Sequence, residues 1–168
     1  KYNNIQMAQK ISLNSAYGAI GNKYFRYHSH LIAEGITTSG QLSIKWIESD
    51  INRYLNKIMD TDKEDYVIAS DTDSVYVVLD RYVSQKFKSE PDTTTVINEL
   101  DRFAKEDIEP IIDKSYQNLA SYLNCHSQRM NMKREVIADK GIWTAKKRYI
   151  LNAYDVEGVR YKEPTLKI

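Results

Sequence analysis

Tyr66-Val67-Ile68-Ala69-Ser70-Asp71-Thr72-Asp73-Ser74-Val75-Tyr76-Val77-Val78-Leu79 is the stretch on which the fold turns. Two runs rich in β-branched and aromatic residues flank four polar ones, the pattern of two strands joined by a tight turn. That turn holds Asp71 and Asp73 at the end of a hydrophobic hairpin. Carboxylates so placed repel each other until a proton or a cation neutralises part of their charge. Hard oxygen donors suit Mg²⁺, with Mn²⁺ able to substitute. A polar turn with no further role is the competing reading, because Asp and Thr are ordinary turn formers. The neighbouring sequence chooses between the two.

On the N-terminal side, residues 3–20 predict a helix whose small or apolar stripe is Ile5, Ala8, Ile11, Ser12, Ser15 and Ala19, closed by Gly18 and Gly21-Asn22. Lys10, Asn14 and Tyr17 follow at offsets of 4 and 3 and share a separate polar face. Such a row offers an ammonium for phosphate, an amide, and a ring able to pack on a base or sugar; equally, it is what a solvated helix face looks like. Residues 23–30 form an aromatic and basic connector, and 31–58 predict a second helix carrying Trp46, Ile47, Ile51, Tyr54 and Leu55.

Beyond the hairpin, 84–95 reads as a surface loop and 94–124 as a long helix kinked at Pro110. Strands are expected over 130–138 and 142–154, with a turn at Asp139-Lys140-Gly141, and a last strand over 159–168. Within the second of these, alternation sends Lys147 and Tyr149 of the basic run Lys146-Lys147-Arg148-Tyr149 to one face, where a cation and a phenol can hold one nucleic-acid strand. Glu135 falls on the strand before it, from which a sheet could carry it near the aspartates. Asp107-Ile108-Glu109 imitates the first acidic motif of a proofreading exonuclease, but it lies mid-helix with no partner acids and reads as helix surface. The order of elements makes the fold α+β, an antiparallel sheet covered by helices on one side.

With 168 residues, 42% of them hydrophobic, the chain is long enough for one domain with a core. Lys+Arg 24 against Asp+Glu 23 gives +1, so no overall basic field announces nucleic acid. The single cysteine, Cys125, excludes an intrachain disulfide and a cysteine zinc cluster. No run approaches the ~20 apolar residues of a membrane helix, and no signal-peptide pattern opens the chain, so a cytoplasmic protein without membrane contact is expected. Lys1 in place of Met suggests an internal piece of something longer.

Taken in order, Lys10-x-x-x-Asn14-Ser15-x-Tyr17-Gly18, Asp71-Thr72-Asp73-Ser74 and Lys147-x-Tyr149 resemble the polymerase domain of family B DNA polymerases, with the nearest likeness to the replicative polymerases of T-even-type bacteriophages. The resemblance implies a fingers helix over 1–22 that protrudes from a palm-type domain over 23–168. It implies that Lys10 contacts the triphosphate of an incoming dNTP, that Asn14 and Tyr17 pack on the nascent pair, and that Gly18 leaves room for template. Asp73 would be a direct metal ligand, Asp71 a supporting acid, Glu135 a further nearby carboxylate, and Lys147 and Tyr149 the grip on the primer terminus. The partners implied are primer-template DNA, dNTP, the rest of a polymerase in cis or in trans, and a sliding clamp, in the cytoplasm of a phage host. The family's upstream Asp-x-x-Ser-Leu-Tyr-Pro stretch has no counterpart here, and neither do the second fingers helix, exonuclease and thumb. The chain therefore supplies about half of a two-metal site and is expected not to polymerise alone. A metal-dependent nucleotide-sugar glycosyltransferase and a non-catalytic nucleic-acid-binding module are the other readings of the same residues.

Overall fold

The hairpin forms as its sequence predicts. Strands β1 (Val67–Asp71) and β2 (Ser74–Val77) pair antiparallel, with Asp71 opposite Ser74 and Thr72-Asp73 between them. The computed structural model describes residues 2–87, 89, 91–145 and 147–168. Helix α1 (Tyr2–Gly21) and helix α2 (His30–Ile58) precede the hairpin. Ile44, Ile47, Ile51 and Leu55 recur every three or four residues on α2 and are all buried, the stripe an amphipathic helix turns to a core. That stripe meets Met59, Tyr66 and Val67 from the chain leading into β1, together with Phe103, Ile112 and Tyr116.

Those last three residues come from α4 (Thr93–Phe103) and α5 (Glu109–Tyr122), which a π-helical segment, Ala104–Ile108, joins. The long helix expected over 94–124 is thus interrupted, and the interruption precedes Pro110. Proline has no N–H to donate, and the Glu109 N–H reaches back to the Ala104 carbonyl, five residues away. Asp92 caps α4 by accepting the Thr95 N–H at 3.3 Å. A short helix, α3 (Asp80–Lys86), begins the stretch expected to be loop from residue 84; none of its residues is buried, so it carries no periodic signal. Asp107 accepts from the Tyr54 hydroxyl at 3.3 Å and Glu109 from the Arg134 N–H at 3.2 Å, so both acids serve the packing of the helix.

A second antiparallel sheet, in the order β3-β4-β5, is built from β3 (Val136–Ala145), β4 (Arg148–Val156) and β5 (Val159–Lys167). The fold is α+β with antiparallel strands, as expected, but the strands divide into two sheets. The turn expected at Asp139-Lys140-Gly141 is absent: β3 runs straight through it, and Gly141 pairs with Leu151. A Cβ on Gly141 would lie 2.7 Å from the Trp143 ring and 2.8 Å from Leu151 Cδ2, so the glycine serves close packing rather than a turn. The chain reverses between Ala145 and Arg148 instead, with Lys147 at a φ of 62°.

Asp155 is fully buried in this sheet. It pairs with Arg134, while Arg160 Nε approaches its other oxygen at 2.6 Å. Arg134 also reaches Asp101 of α4 at 2.5 Å, and Asp101 takes Lys105 at 2.8 Å. The network ties sheet to helix, and Arg134 and Asp155 are costly to remove because each would leave its partner charged in a nearly dry site.

The chain divides into two compact units, Lys1–Leu42 and Ser43–Ile168. In the first, α1 turns back into α2: the Ser29 N–H and His28 Nδ1 both meet the Ile20 carbonyl at 3.0 Å, and Gly21 faces Ala33. Among its described residues none is buried, and Ile5, Ile11 and Leu13 of α1 are about half or more exposed. The small or apolar stripe of α1 is not covered by the described residues of this unit. No described helix is long and apolar enough to cross a membrane.

Candidate functional site

Asp71 ends β1 half-buried, and its Oδ1 accepts both the Thr72 N–H at 2.9 Å and the Thr72 hydroxyl at 3.0 Å. Those bonds hold one oxygen and leave Oδ2 outside the turn's own bonding. Asp73 occupies the second turn position and is exposed. Neither Thr72 nor Asp73 takes a positive φ, so the turn is not of the primed kind that follows the natural strand twist. The hairpin keeps only four residues in β2, and a bulge falls between Val67 and Ala69.

Tyr116 is buried in the core cluster, and burial together with the negative charge of Asp73 raises its phenol above the usual range. The sequence shows Tyr116 only as one more apolar position on a helix; a tyrosine where an aliphatic would serve was the available signal. The two aspartates are the right chemistry for a hard divalent cation, having carboxylate oxygens and no soft donor beside them. They are incomplete as a cage: no group of three His, Cys, Asp or Glu able to hold a metal occurs among the described residues.

Glu135 lies one residue before β3, not on a strand. Its carbonyl accepts the Glu157 N–H at 2.7 Å and its carboxylate pairs with Lys167. It is therefore not assembled with Asp71 and Asp73 into a ligand set, although its charge contributes to raising the phenol of Tyr76 in β2.

Tyr76 is the joint between the two sheets. Its ring meets Trp143 of β3 at 5.2 Å and Tyr149 of β4 at 5.4 Å, both near edge-to-face, the favoured aromatic geometry. Burial first, then the hydrogen bond with Tyr149, pushes the Tyr76 phenol up to about 12. Trp143 and Tyr149 face each other across the β3–β4 ladder, so one aromatic side chain from the aspartate hairpin sits against a cross-strand pair. Sequence reasoning had no means of placing Tyr76 and Trp143, because packing across two sheets leaves no local pattern.

Tyr149 is thus held beside the hairpin, whereas Lys147 is not its strand neighbour. The expectation that alternation carries both to one face fails because Lys147 sits in the turn with left-handed backbone, exposed to solvent. Lys146 lies outside the described residues.

Lys10, Asn14 and Tyr17 are all on α1 and exposed at the offsets that give one face, Tyr17 at 42%. A Cβ on Gly18 would meet nothing within 4 Å among the described residues. These four residues belong to the first unit, and the aspartates, Tyr76 and Tyr149 to the second.

Residues 1–160 match DNA polymerase family B. The chain is 44% identical over 172 residues to the DNA-directed DNA polymerase of Escherichia phage RB69, covering 97% of this chain and 19% of that protein. It is 44% identical over 178 residues to the DNA-directed DNA polymerase of Enterobacteria phage T4, covering 99% of this chain and 20% of that one. A DNA polymerase of Choristoneura biennis entomopoxvirus is 26% identical over 178 residues, covering 89% of this chain and 17% of the relative. The chain spans about a fifth of the length of the curated relatives it matches.

Proposed function

The chain belongs to DNA polymerase family B, and from that membership we propose that it is the palm and fingers portion of a template-directed DNA polymerase. The fingers helix is residues 1–22 and the palm residues 23–168. The observation that carries the reading is the Tyr76 joint, which seats the strand of the expected primer grip, Tyr149, against the hairpin of the expected metal ligands, Asp71 and Asp73. Nothing about a bare metal-binding turn or a nucleotide-sugar site calls for that juxtaposition.

In this reading Asp73 and Asp71 hold Mg²⁺, or Mn²⁺ in its place, with further ligands from outside this chain. Bound there, the cation would offset the charge that develops as a primer 3′-hydroxyl displaces pyrophosphate from a dNTP. The chain's own part is positioning. Thr72 fixes one oxygen of Asp71, Tyr149 orients the primer end, Lys147 offers its charge from the exposed turn before that strand, and Lys10, Asn14 and Tyr17 receive the dNTP, with Gly18 open to the template. Glu135 supplies negative charge near Tyr76 rather than a ligand. Primer-template DNA, dNTP and the rest of a polymerase are the partners, with a sliding clamp and a host-cell cytoplasmic setting following from the phage likeness.

Two carboxylates make half of a two-metal centre, so the isolated chain is expected to be inactive. Primer extension with this chain alone, Mg²⁺ and all four dNTPs tests that: no incorporation is the expected result. Mg²⁺-dependent incorporation that vanishes in Asp73→Asn would show that the chain completes the centre by itself.

A further inference from the structure

Tyr76 does not occupy the face of β2 that the core needs. Val75 and Val77 pack against the core cluster, so strand alternation turns Ser74 and Tyr76 the other way. Across the ladder Asp71 stands opposite Ser74 and Ala69 opposite Tyr76, which puts Asp71 and the Tyr76 ring on one face of the hairpin. On that face the neighbouring strand offers Tyr76 only the methyl of Ala69. The ring finds its partners on the other sheet, Trp143 with planes 77° apart and Tyr149 with planes 61° apart.

Tyr149 has little else to aim it. It is half-buried, between an exposed Arg148 and an Ile150 that is 40% exposed. It stands one residue inside β4, just after the left-handed Lys147, and the β3–β4 register shifts between Trp143 and Ala145. A ladder disrupted at that end pins the chain there less firmly than regular pairing would. Trp143 is steadied from its own side, because its ring lies over Gly141, where a Cβ would come within 2.7 Å. Tyr76 fills the angle between this indole and the Tyr149 phenol. Edge-to-face contact is directional, since the positive edge of one ring meets the negative face of the other. An aliphatic side chain would fill the same space without that preference.

We propose that Tyr76 is a positioning residue, whose ring, carried on the aspartate hairpin, sets the orientation of Tyr149 and so the hold of the chain on a primer end. The inference rests on the reading of Tyr149 as the primer grip. It adds that the grip is aimed from the same hairpin face that carries Asp71, by a residue that itself touches no DNA.

Fluorescence anisotropy of a labelled duplex with a recessed primer 3′ end, titrated with the full chain, tests it, in EDTA so that no cation at the aspartates takes part. Tyr149→Ala is expected to weaken binding. Tyr76→Leu is expected to weaken it about fivefold, and Tyr76→Phe, which keeps the ring, by no more than about twofold. The deciding variant is Tyr76→Leu/Tyr149→Ala, expected within about twofold of Tyr149→Ala alone, because a residue that acts through Tyr149 then has nothing to act on. Urea unfolding of each variant separates loss of fold from loss of aim, and Tyr76→Ile, a better strand former, replaces Tyr76→Leu if that variant does not fold. Equal losses from Tyr76→Leu with and without Tyr149, or no loss with Tyr149 present, would overturn the inference and leave the primer grip standing. Undiminished binding by Tyr149→Ala, or no binding by wild type, would remove the grip itself and the inference with it.

Discussion

Residues 1–42 and 43–168 solve opposite problems. The second unit closes a core around Ile47, Ile51 and Leu55, each at most 1% exposed, and neutralises the buried Asp155 with two arginines. The first unit buries nothing among its described residues and leaves Ile11, Leu13, Tyr24 and Leu31 in the open. Apolar periodicity is present in both, so periodicity alone does not say where the covering surface comes from. In the second unit it is the chain itself. In the first, Ile11, Leu13 and Leu31 are not covered by the other described residues of that unit.

The contrast is sharpest in paired truncations. Leu55→Ala is expected to lower unfolding stability by about 2–5 kcal/mol, and Leu13→Ala by no more than about 0.5 kcal/mol. Urea unfolding of both variants checks this, and comparable losses would mean that α1 is covered as well as α2.

A smaller effect is expected from Gly141→Ala. The new methyl would enter the space of the Trp143 ring and of Leu151, and overpacking of this kind costs about 1–3 kcal/mol. Trp143 would be pushed from Tyr76, so its fluorescence should change in a Trp46→Phe background; an unaltered spectrum would argue that the aromatic joint is loose.

Smaller still is an acid-side effect in the second unit. Arg102 first, with Tyr82 and Lys86, holds the Glu99 carboxylate at about 2, below the ordinary glutamate value of 4.5. A depressed folded pKa contributes stability that is present above the unfolded value and lost as pH falls from about 4.5 towards 2. Thermal unfolding of Glu99→Gln should therefore differ from wild type at about pH 6 and converge with it near pH 2; a constant gap would mean that the ion pairs are not its source. The Glu34–His30 pair of the first unit is exposed on both sides and contributes little.

The sequence disclosed elements whose signals are local. Helix α1 announces itself by spacing and by its terminal Gly21, α2 by spacing alone, and the aspartate hairpin by two apolar runs around a polar turn. It misled where a local signal had a distant cause. Asp139-Lys140-Gly141 looks like a turn, but Gly141 is small because Trp143 and Leu151 need its space. Taking it for a turn moves the reversal away from its place between Ala145 and Arg148 and puts Lys147 on a strand. Helix α3 was illegible because it buries no residue. The candidate site was legible in its carboxylates and in Tyr149; Tyr76 and Trp143, which pack with Tyr149, come from elements far apart in sequence.

If Asp71 and Asp73 form half of a metal centre whose other half lies outside this chain, the chain alone should hold a divalent ion weakly. Titration with Mn²⁺, following the free ion by electron paramagnetic resonance, tests that most directly. One weak site that disappears in Asp73→Asn and weakens in Asp71→Asn is the result expected. Mn²⁺ binding that survives Asp73→Asn undiminished, or none in the wild-type chain, would refute the half-centre.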